Sequence, residues 1–388
     1  MAVKKKLLLV NNFLQGGGVE KLMGDLIRRW HDRYELTVMT QEYDPQYRDA
    51  LPPDVRYFAI LPPKNEDPQA AYLKQMRNKV IHWTSYIFRT QLLLRLELRR
   101  HYDAALAMKE GWCMEFVSGM TRIPLKLAWV HTDYLSNYCT CAVFHSVENE
   151  RLCMRQFRRV ICVSEQIERS IRQVIGDPGN LLVRYNPIRV DEIIAKAQEP
   201  VVDVEPEDGP LFVAAGRLNH QKGYDILLEA CHMLERDGLT FHVLVIGGEE
   251  PWSDEHDRLY RRQKQLGLKS VRFLGGRSNP YKYMKRADWF LSTSVFEGYS
   301  LVSQEAAVLD VPMLLTDCSG VREFLGDSEY GIVMEISVLG VYENMKRVIE
   351  HPELREHYRK KITERKKIIN FDERIAAIEE LFDKDQAE

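Results

Sequence analysis

Leu211-Phe-Val-Ala-Ala-Gly-Arg-Leu-Asn-His-Gln-Lys-Gly223 runs from an unbroken apolar stretch into a charged turn flanked by glycines, and an amphipathic segment follows it. A buried strand that gives way through a glycine turn to a helix is the repeating unit of a parallel α/β sheet. The same alternation extends in both directions. Apolar runs at 7–10, 36–40, 104–108, 127–130, 160–163 and 181–185 predict six strands before it. Runs at 241–246, 271–274, 289–292, 313–316 and 332–334 predict five more after it. Between the two sets lies 199–210, rich in Pro, Asp and Glu and poor in apolar residues, which reads as a linker. The expected fold is α/β, with two doubly wound, Rossmann-like domains at 1–199 and 208–370 and a last amphipathic helix within 371–388. Such sheets bind ligands outside the carboxyl ends of their strands, so two facing domains would share a cleft there.

Bulk properties agree with two ordinary domains. The chain has 388 residues, 45% apolar and 29% charged, which excludes disordered and membrane-spanning compositions. No apolar run approaches the roughly 18–20 residues that a bilayer crossing needs. The apolar stretch at 7–10 is too short for a signal peptide, and seven scattered cysteines form no disulfide framework. A cytoplasmic protein with reduced thiols is expected. Residues 1–200 carry 29 Lys+Arg against 23 Asp+Glu, whereas the remainder is acidic and the whole chain has net charge −3. That asymmetry fits two domains with different partners and is too mild for a nucleic-acid-binding protein.

Four segments carry candidate chemistry. Ser294-Val-Phe-Glu297-Gly298-Tyr299-Ser300-Leu301-Val302 leads from a strand through a glycine turn into a helix that holds Glu305. A helix start offers unpaired N–H groups and a positive dipole end, both suited to a diphosphate. In the quoted turn, Arg217 supplies a planar donor fork and Lys222 a mobile cation, and two fixed cations can neutralise a departing diphosphate without a metal. Asn11-Asn12-Phe-Leu-Gln-Gly16-Gly17-Gly18 follows the first strand, where Gly17 and Gly18 permit close backbone approach, although the Gly-x-Gly-x-x-Gly fingerprint is not met. His131 stands at the end of a first-domain strand, aimed at a reacting group or merely capping one. Each has a bland alternative: ordinary helix-flanking carboxylates, a solvated loop, a glycine triplet, a core histidine. Their coincidence is what argues for a site.

Other features carry less. Cys139, Cys141, His145 and Cys153 match no common zinc spacing. The sole Asp-x-Asp, Asp383 to Asp385, lies near the C-terminus and reads as solvated tail. Residues 74–100 hold seven Lys+Arg and one acid among Trp83, Tyr86 and Phe88. They read either as a helix on an anionic membrane surface or as a packed helix with a basic face.

Together the four segments resemble the GT-B retaining glycosyltransferases with a Glu-x7-Glu motif, known as family 4. The resemblance covers most of the chain and is strongest over 212–324, including Arg277-Ser278-Asn279-Pro280; in the first domain it rests on Gly17-Gly18-Val19-Glu20, His131, Val163-Ser164-Glu165 and Asn186-Pro187. It implies that Arg217 and Lys222 bind the donor diphosphate with the backbone of Tyr299, Ser300, Leu301 and Val302. It implies that Glu305 holds the ribose, Glu297 the transferred sugar, and Arg277 and Ser278 the base. Gly17 and Gly18 would line the phosphates and His131 would contact the sugar. The implied activity is metal-independent transfer from a nucleotide-diphosphate sugar, UDP-linked first and GDP-mannose as the rival, to a saccharide or lipid-linked acceptor. A nucleotide-sugar epimerase and a non-catalytic binding subunit are the competing classes. Arg322-Glu323 departs from the group, which often has proline beside that glutamate.

Overall fold

A computed structural model describes residues 4–12, 17–61, 101–204, 208–248 and 253–383. The basic segment 74–100 and Asp385 lie outside the described residues. Contacts divide the chain into two compact units, one of residues 1–163, 168–184 and 379–388, the other of 164–167 and 185–378.

The first unit is built on a parallel sheet of seven strands: β1 (Lys6–Asn11), β2 (Glu35–Glu42), β3 (Arg56–Leu61), β4 (Ala104–Ala107), β5 (Leu125–Val130), β6 (Arg159–Cys162) and β7 (Leu181–Val183). Their spatial order is β3-β2-β1-β4-β5-β6-β7. Leu9 pairs with Val38 on one side and Leu106 on the other, and all three are buried. Strands covered on both faces read as continuous apolar runs, which is why five of the seven were predictable; the sixth, β7, is a half-buried edge strand that is apolar throughout, Leu181-Leu-Val. The exception is β3. It closes the edge of the sheet, its first four residues are only half-buried, and Pro52, Pro53, Pro62 and Pro63 flank it in sequence. Helix Gly18–Trp30 covers the sheet with Leu22, Met23, Leu26, Ile27 and Trp30, an apolar face at helical spacing.

The second unit has six parallel strands: β8 (Leu211–Ala215), β9 (His242–Ile246), β10 (Val271–Gly275), β11 (Trp289–Ser292), β12 (Met313–Thr316) and β13 (Ile332–Met334). Their order is β10-β9-β8-β11-β12-β13, and all six coincide with predicted runs. Helix Tyr224–Arg236 buries Tyr224, Leu227, Leu228, Cys231 and Leu234 against β8 and β9, with Val341, Met345 and Val348 of helix Val338–Glu350 beside them. Each such Leu or Val side chain contributes roughly 1.5–3 kcal/mol on burial.

The α/β fold with two doubly wound sheets is therefore as expected. The chain changes unit at Arg184 and Tyr185, ahead of the acidic stretch 199–210, because helix Val190–Lys196 joins the second unit, where Asn279 Nδ2 donates to the Lys196 carbonyl (2.8 Å). Helix Phe371–Asp383 begins in the second unit and ends in the first. Within the first unit Trp30 Nε1 donates to Glu379 (3.0 Å), and the Phe382 ring meets Trp30 edge-on. Asp383, expected as solvated tail, instead pairs with Arg33 and closes this helix. Among the described residues no helix is long and apolar enough to cross a membrane.

In both sheets the strand order reverses once, between β1 and β4 and between β8 and β11. The turns leaving those strands are where an open parallel sheet takes its ligands.

Candidate active site

In the second unit the turns that follow β8 and β11 lock together. The first closes as a 3-10 turn, His220–Lys222, and ends on Gly223 at φ 58°. A Cβ at Gly223 would stand 2.1 Å from the Thr293 carbonyl oxygen, so a glycine alone allows this approach. Val295 N–H donates to the Gln221 carbonyl (2.9 Å), and Thr293 Oγ1 donates to the Lys222 carbonyl (2.9 Å). The Lys222 stem lies across Gly216, where a Cβ would meet its Cε at 2.6 Å.

This framework brings Lys222 Nζ to 2.5 Å from Glu297 Oε1. The same oxygen accepts from Ser294 Oγ (2.9 Å), and Gln221 Nε2 donates to the Phe296 carbonyl (3.1 Å) and lies 3.5 Å from Glu297 Oε2. The two charged side chains are only 15% and 11% exposed, which makes a sheltered, solvent-accessible ion pair rather than a surface one. Gln221 and Ser294 lie inside the segments singled out in the sequence but were given no role there.

Beyond Glu297 the backbone enters helix Leu301–Val308. Ser300 is its N-cap, accepting from the Ser303 N–H (3.3 Å). The amides of Leu301 and Val302 stand at the helix start, where no intrahelical acceptor exists for them. Glu305 is buried, and Tyr281 Oη donates to it (3.3 Å). Tyr299 is buried against Tyr185, with ring centroids 4.9 Å apart. Arg217 is exposed on the β8 turn. Arg277 and Ser278 are exposed after β10, at the edge of the sheet; Arg277 pairs with Asp203 (3.2 Å), which also accepts from Tyr283 Oη (2.9 Å). Among the described residues no hydrogen bond or ion pair joins Arg277 or Ser278 to Lys222 or Glu297.

The first unit has its own cluster. Asn12 accepts from Cys113 Sγ (2.6 Å), and Gly17 and Gly18 open helix Gly18–Trp30, with Gly17 as its extended N-cap. His131 follows β5, and its backbone N–H donates to Glu110 Oε2 (2.9 Å) while Thr132 Oγ1 donates to Glu110 Oε1 (2.5 Å). Burial pushes the Glu110 carboxyl up; Lys109, His131 and those two hydrogen bonds more than reverse it, leaving it below the usual range. Burial drives the His131 imidazole down to about 4 against the opposing pull of Glu110, so it is neutral at pH 7. Nε2 is buried without a hydrogen-bond partner, and the Met108 backbone engages the ring. With the Met108 carbonyl taking the Nδ1 proton, Nε2 carries a lone pair and can accept from a hydroxyl. Glu110 was not singled out in the sequence, though a charged pair, Lys109-Glu110, at the end of an apolar strand is its signature.

Among the described residues no three His, Cys, Asp or Glu side chains are grouped to hold a metal ion. Cys139, Cys141 and Cys153 are free thiols.

Residues 196–365 match the family of glycosyl transferases group 1. The chain is 34% identical over 193 residues to N-acetylgalactosamine-N,N'-diacetylbacillosaminyl-diphospho-undecaprenol 4-alpha-N-acetylgalactosaminyltransferase of Campylobacter jejuni subsp. jejuni, covering 49% of this chain and 50% of that one. It is 29% identical to the lipopolysaccharide core biosynthesis glycosyltransferase LpsE of Rhizobium meliloti, covering 37% and 40%. The chain thus spans about half the length of the first curated relative and less of the second. Among solved structures, Anabaena Alr3699/HepE in complex with UDP and glucose superimposes with a TM-score of 0.77 at 16% identity, covering 98% of this chain and 100% of that one. The stretch that matches the glycosyl transferases group 1 family holds β8 to β13 and the Lys222–Glu297 pair, in a chain whose two parallel-sheet units have the GT-B fold.

Proposed function

We propose that the chain is a retaining glycosyltransferase that moves a sugar from a nucleoside-diphosphate donor, a UDP-sugar first, to a saccharide or lipid-linked acceptor in polysaccharide or glycolipid synthesis. The observation that carries this is the sheltered Lys222–Glu297 pair at the strand-order reversal, one turn ahead of an open helix start. Lys222 and Arg217 neutralise the diphosphate together with the amides of Leu301 and Val302, so the charge needed at the leaving group comes from the protein and no metal is required. Glu297 accepts from hydroxyls of the transferred sugar, and Glu305, oriented by Tyr281, accepts from the ribose. His131 accepts a sugar hydroxyl at Nε2, Gly17 and Gly18 give the phosphates close backbone, and Arg277 and Ser278 take the base. The bond between the anomeric carbon and the phosphate oxygen breaks with its electron pair on the phosphate. The acceptor oxygen bonds on the same face and its proton passes to that phosphate, which accounts for retention without a carboxylate pair at glycosidase spacing.

The Campylobacter relative acts on an undecaprenol-diphosphate substrate by name, which supports a lipid-linked acceptor. The Anabaena complex contains UDP and glucose, which supports the donor. Such an acceptor would place the reaction on the cytoplasmic face of a membrane. The test is nucleotide release from UDP-, GDP- and ADP-sugars with and without saccharide and lipid-linked acceptors, in excess EDTA. Acceptor-dependent UDP release is expected. Epimerised donor without acceptor, or turnover restored only by manganese, overturns the reading.

A further inference from the structure

Arg374 is a buried cation that the roles above leave unused. It sits in helix Phe371–Asp383 and is 8% exposed. Its Nη1 donates to the Asn186 carbonyl (2.8 Å) and to Gln304 Oε1 (2.7 Å), and Nη2 donates to the Ile368 carbonyl (3.1 Å). The guanidinium carbon stands 5.4 Å from the centre of the Tyr185 ring. All these partners are neutral. Among the described residues no carboxylate pairs with it, and the other charged side chain acting on it is a second cation, Arg365.

Burying a charge without a counter-charge is costly, and arginine does not escape by losing its proton. What this one is attached to is therefore informative. Gln304 uses its carboxamide in both directions: Oε1 accepts from Arg374, and Nε2 donates to the Ser300 carbonyl (3.2 Å). Ser300 is the N-cap of helix Leu301–Val308. On the other side, Tyr185, which lies under the guanidinium, packs its ring on Tyr299. Arg374 thus reaches both Tyr299 and Ser300 through one intermediary each.

We propose that Arg374 is a positioning residue for the donor diphosphate: it fixes the Tyr299–Ser300 turn through Gln304 and Tyr185, and its uncompensated positive charge reinforces the anion-binding helix start. The bound diphosphate supplies the negative charge that the protein withholds from Arg374. This deepens the donor-site reading above and rests on it.

A structural role and an electrostatic one separate by the charge of the ligand. Titration calorimetry of wild type, Arg374→Lys and Arg374→Gln with UDP, uridine and inorganic pyrophosphate, alongside melting curves, provides the test. Arg374→Gln is expected to weaken UDP and pyrophosphate by about ten-fold and leave uridine within about two-fold, since one charge contact is lost and no base contact. Arg374→Lys, which keeps the charge, recovers most of the loss. UDP and uridine weakened together, with a fallen melting temperature that lysine does not restore, would make Arg374 purely structural and overturn the proposal. Unchanged UDP affinity in Arg374→Gln overturns it while leaving the donor site standing. Absence of UDP and pyrophosphate binding in the wild type overturns both.

Discussion

The two strand-order reversals share a topology and differ in charge. At β8 and β11 the turns present an ion pair, Lys222 with Glu297, and an exposed Arg217 on the turn after β8. In the first unit, whose reversal lies between β1 and β4, the turn after β4 presents Glu110, consumed by the Thr132 hydroxyl and the His131 N–H, and the neighbouring turn after β5 adds a neutral imidazole with one open nitrogen. The first arrangement can exchange one ionic partner for another. The second can only offer a lone pair to a donor. A parallel sheet fixes where a ligand goes, and the turn residues decide whether the place answers to charge or to hydroxyls.

The largest test of this contrast is Lys222→Ala. If the ammonium neutralises a departing diphosphate, kcat should fall by about 10²-fold or more. The pair is sheltered, so the variant should also lose about 1–3 kcal/mol of stability as Glu297 keeps only Ser294 and Gln221. Steady-state kinetics below the variant's melting temperature separates the two effects, and a wild-type kcat would break the charged half of the comparison.

A smaller change is expected from Glu305→Ala. A ribose contact made equally in the bound donor and the transition state affects binding without affecting the chemical step. KM for the donor should rise about ten-fold with kcat within a factor of three. A kcat loss exceeding the KM change would move Glu305 from binding into catalysis.

The smallest concerns His131 and sharpens the neutral half. Its imidazole titrates near 4 in the folded chain against about 6.5 when unfolded. Between those values the unfolded chain binds the extra proton, so stability is fully present above pH 6.5 and is lost as pH falls towards 4. Denaturant unfolding should show a decline on the order of 2 kcal/mol across this window, a figure reduced from the full shift because the residue keeps some exposure. His131→Asn should flatten that decline. An unchanged slope in the variant would mean that burial does not depress the ring's titration, which would remove the neutral half of the comparison.

Sequence reading went furthest where burial was most complete. Strands covered on both faces announced themselves as apolar runs, and so did the half-buried edge strand β7, whereas the proline-flanked β3 did not. Lys222 and Glu297 were individually legible because glycine turns frame them. Their contact was not, since it follows from β11 lying beside β8 instead of beside β10, which precedes it in the chain. Glu110 and Arg374 were silent for a different reason: a lone charged residue carries no pattern, and only its burial and its partners distinguish it from solvated neighbours.

The path of the last helix has a consequence for anyone recombining this protein with others. Since 379–388 groups with residues 1–163 and 168–184, a chimera joined within the acidic stretch 199–210 would pair one parent's opening half with the other parent's closing residues. Trp30 and Arg33 would then face a foreign side chain where Glu379 now accepts from both. A transplant of the first sheet is whole only if it carries the chain's last turns along with its first.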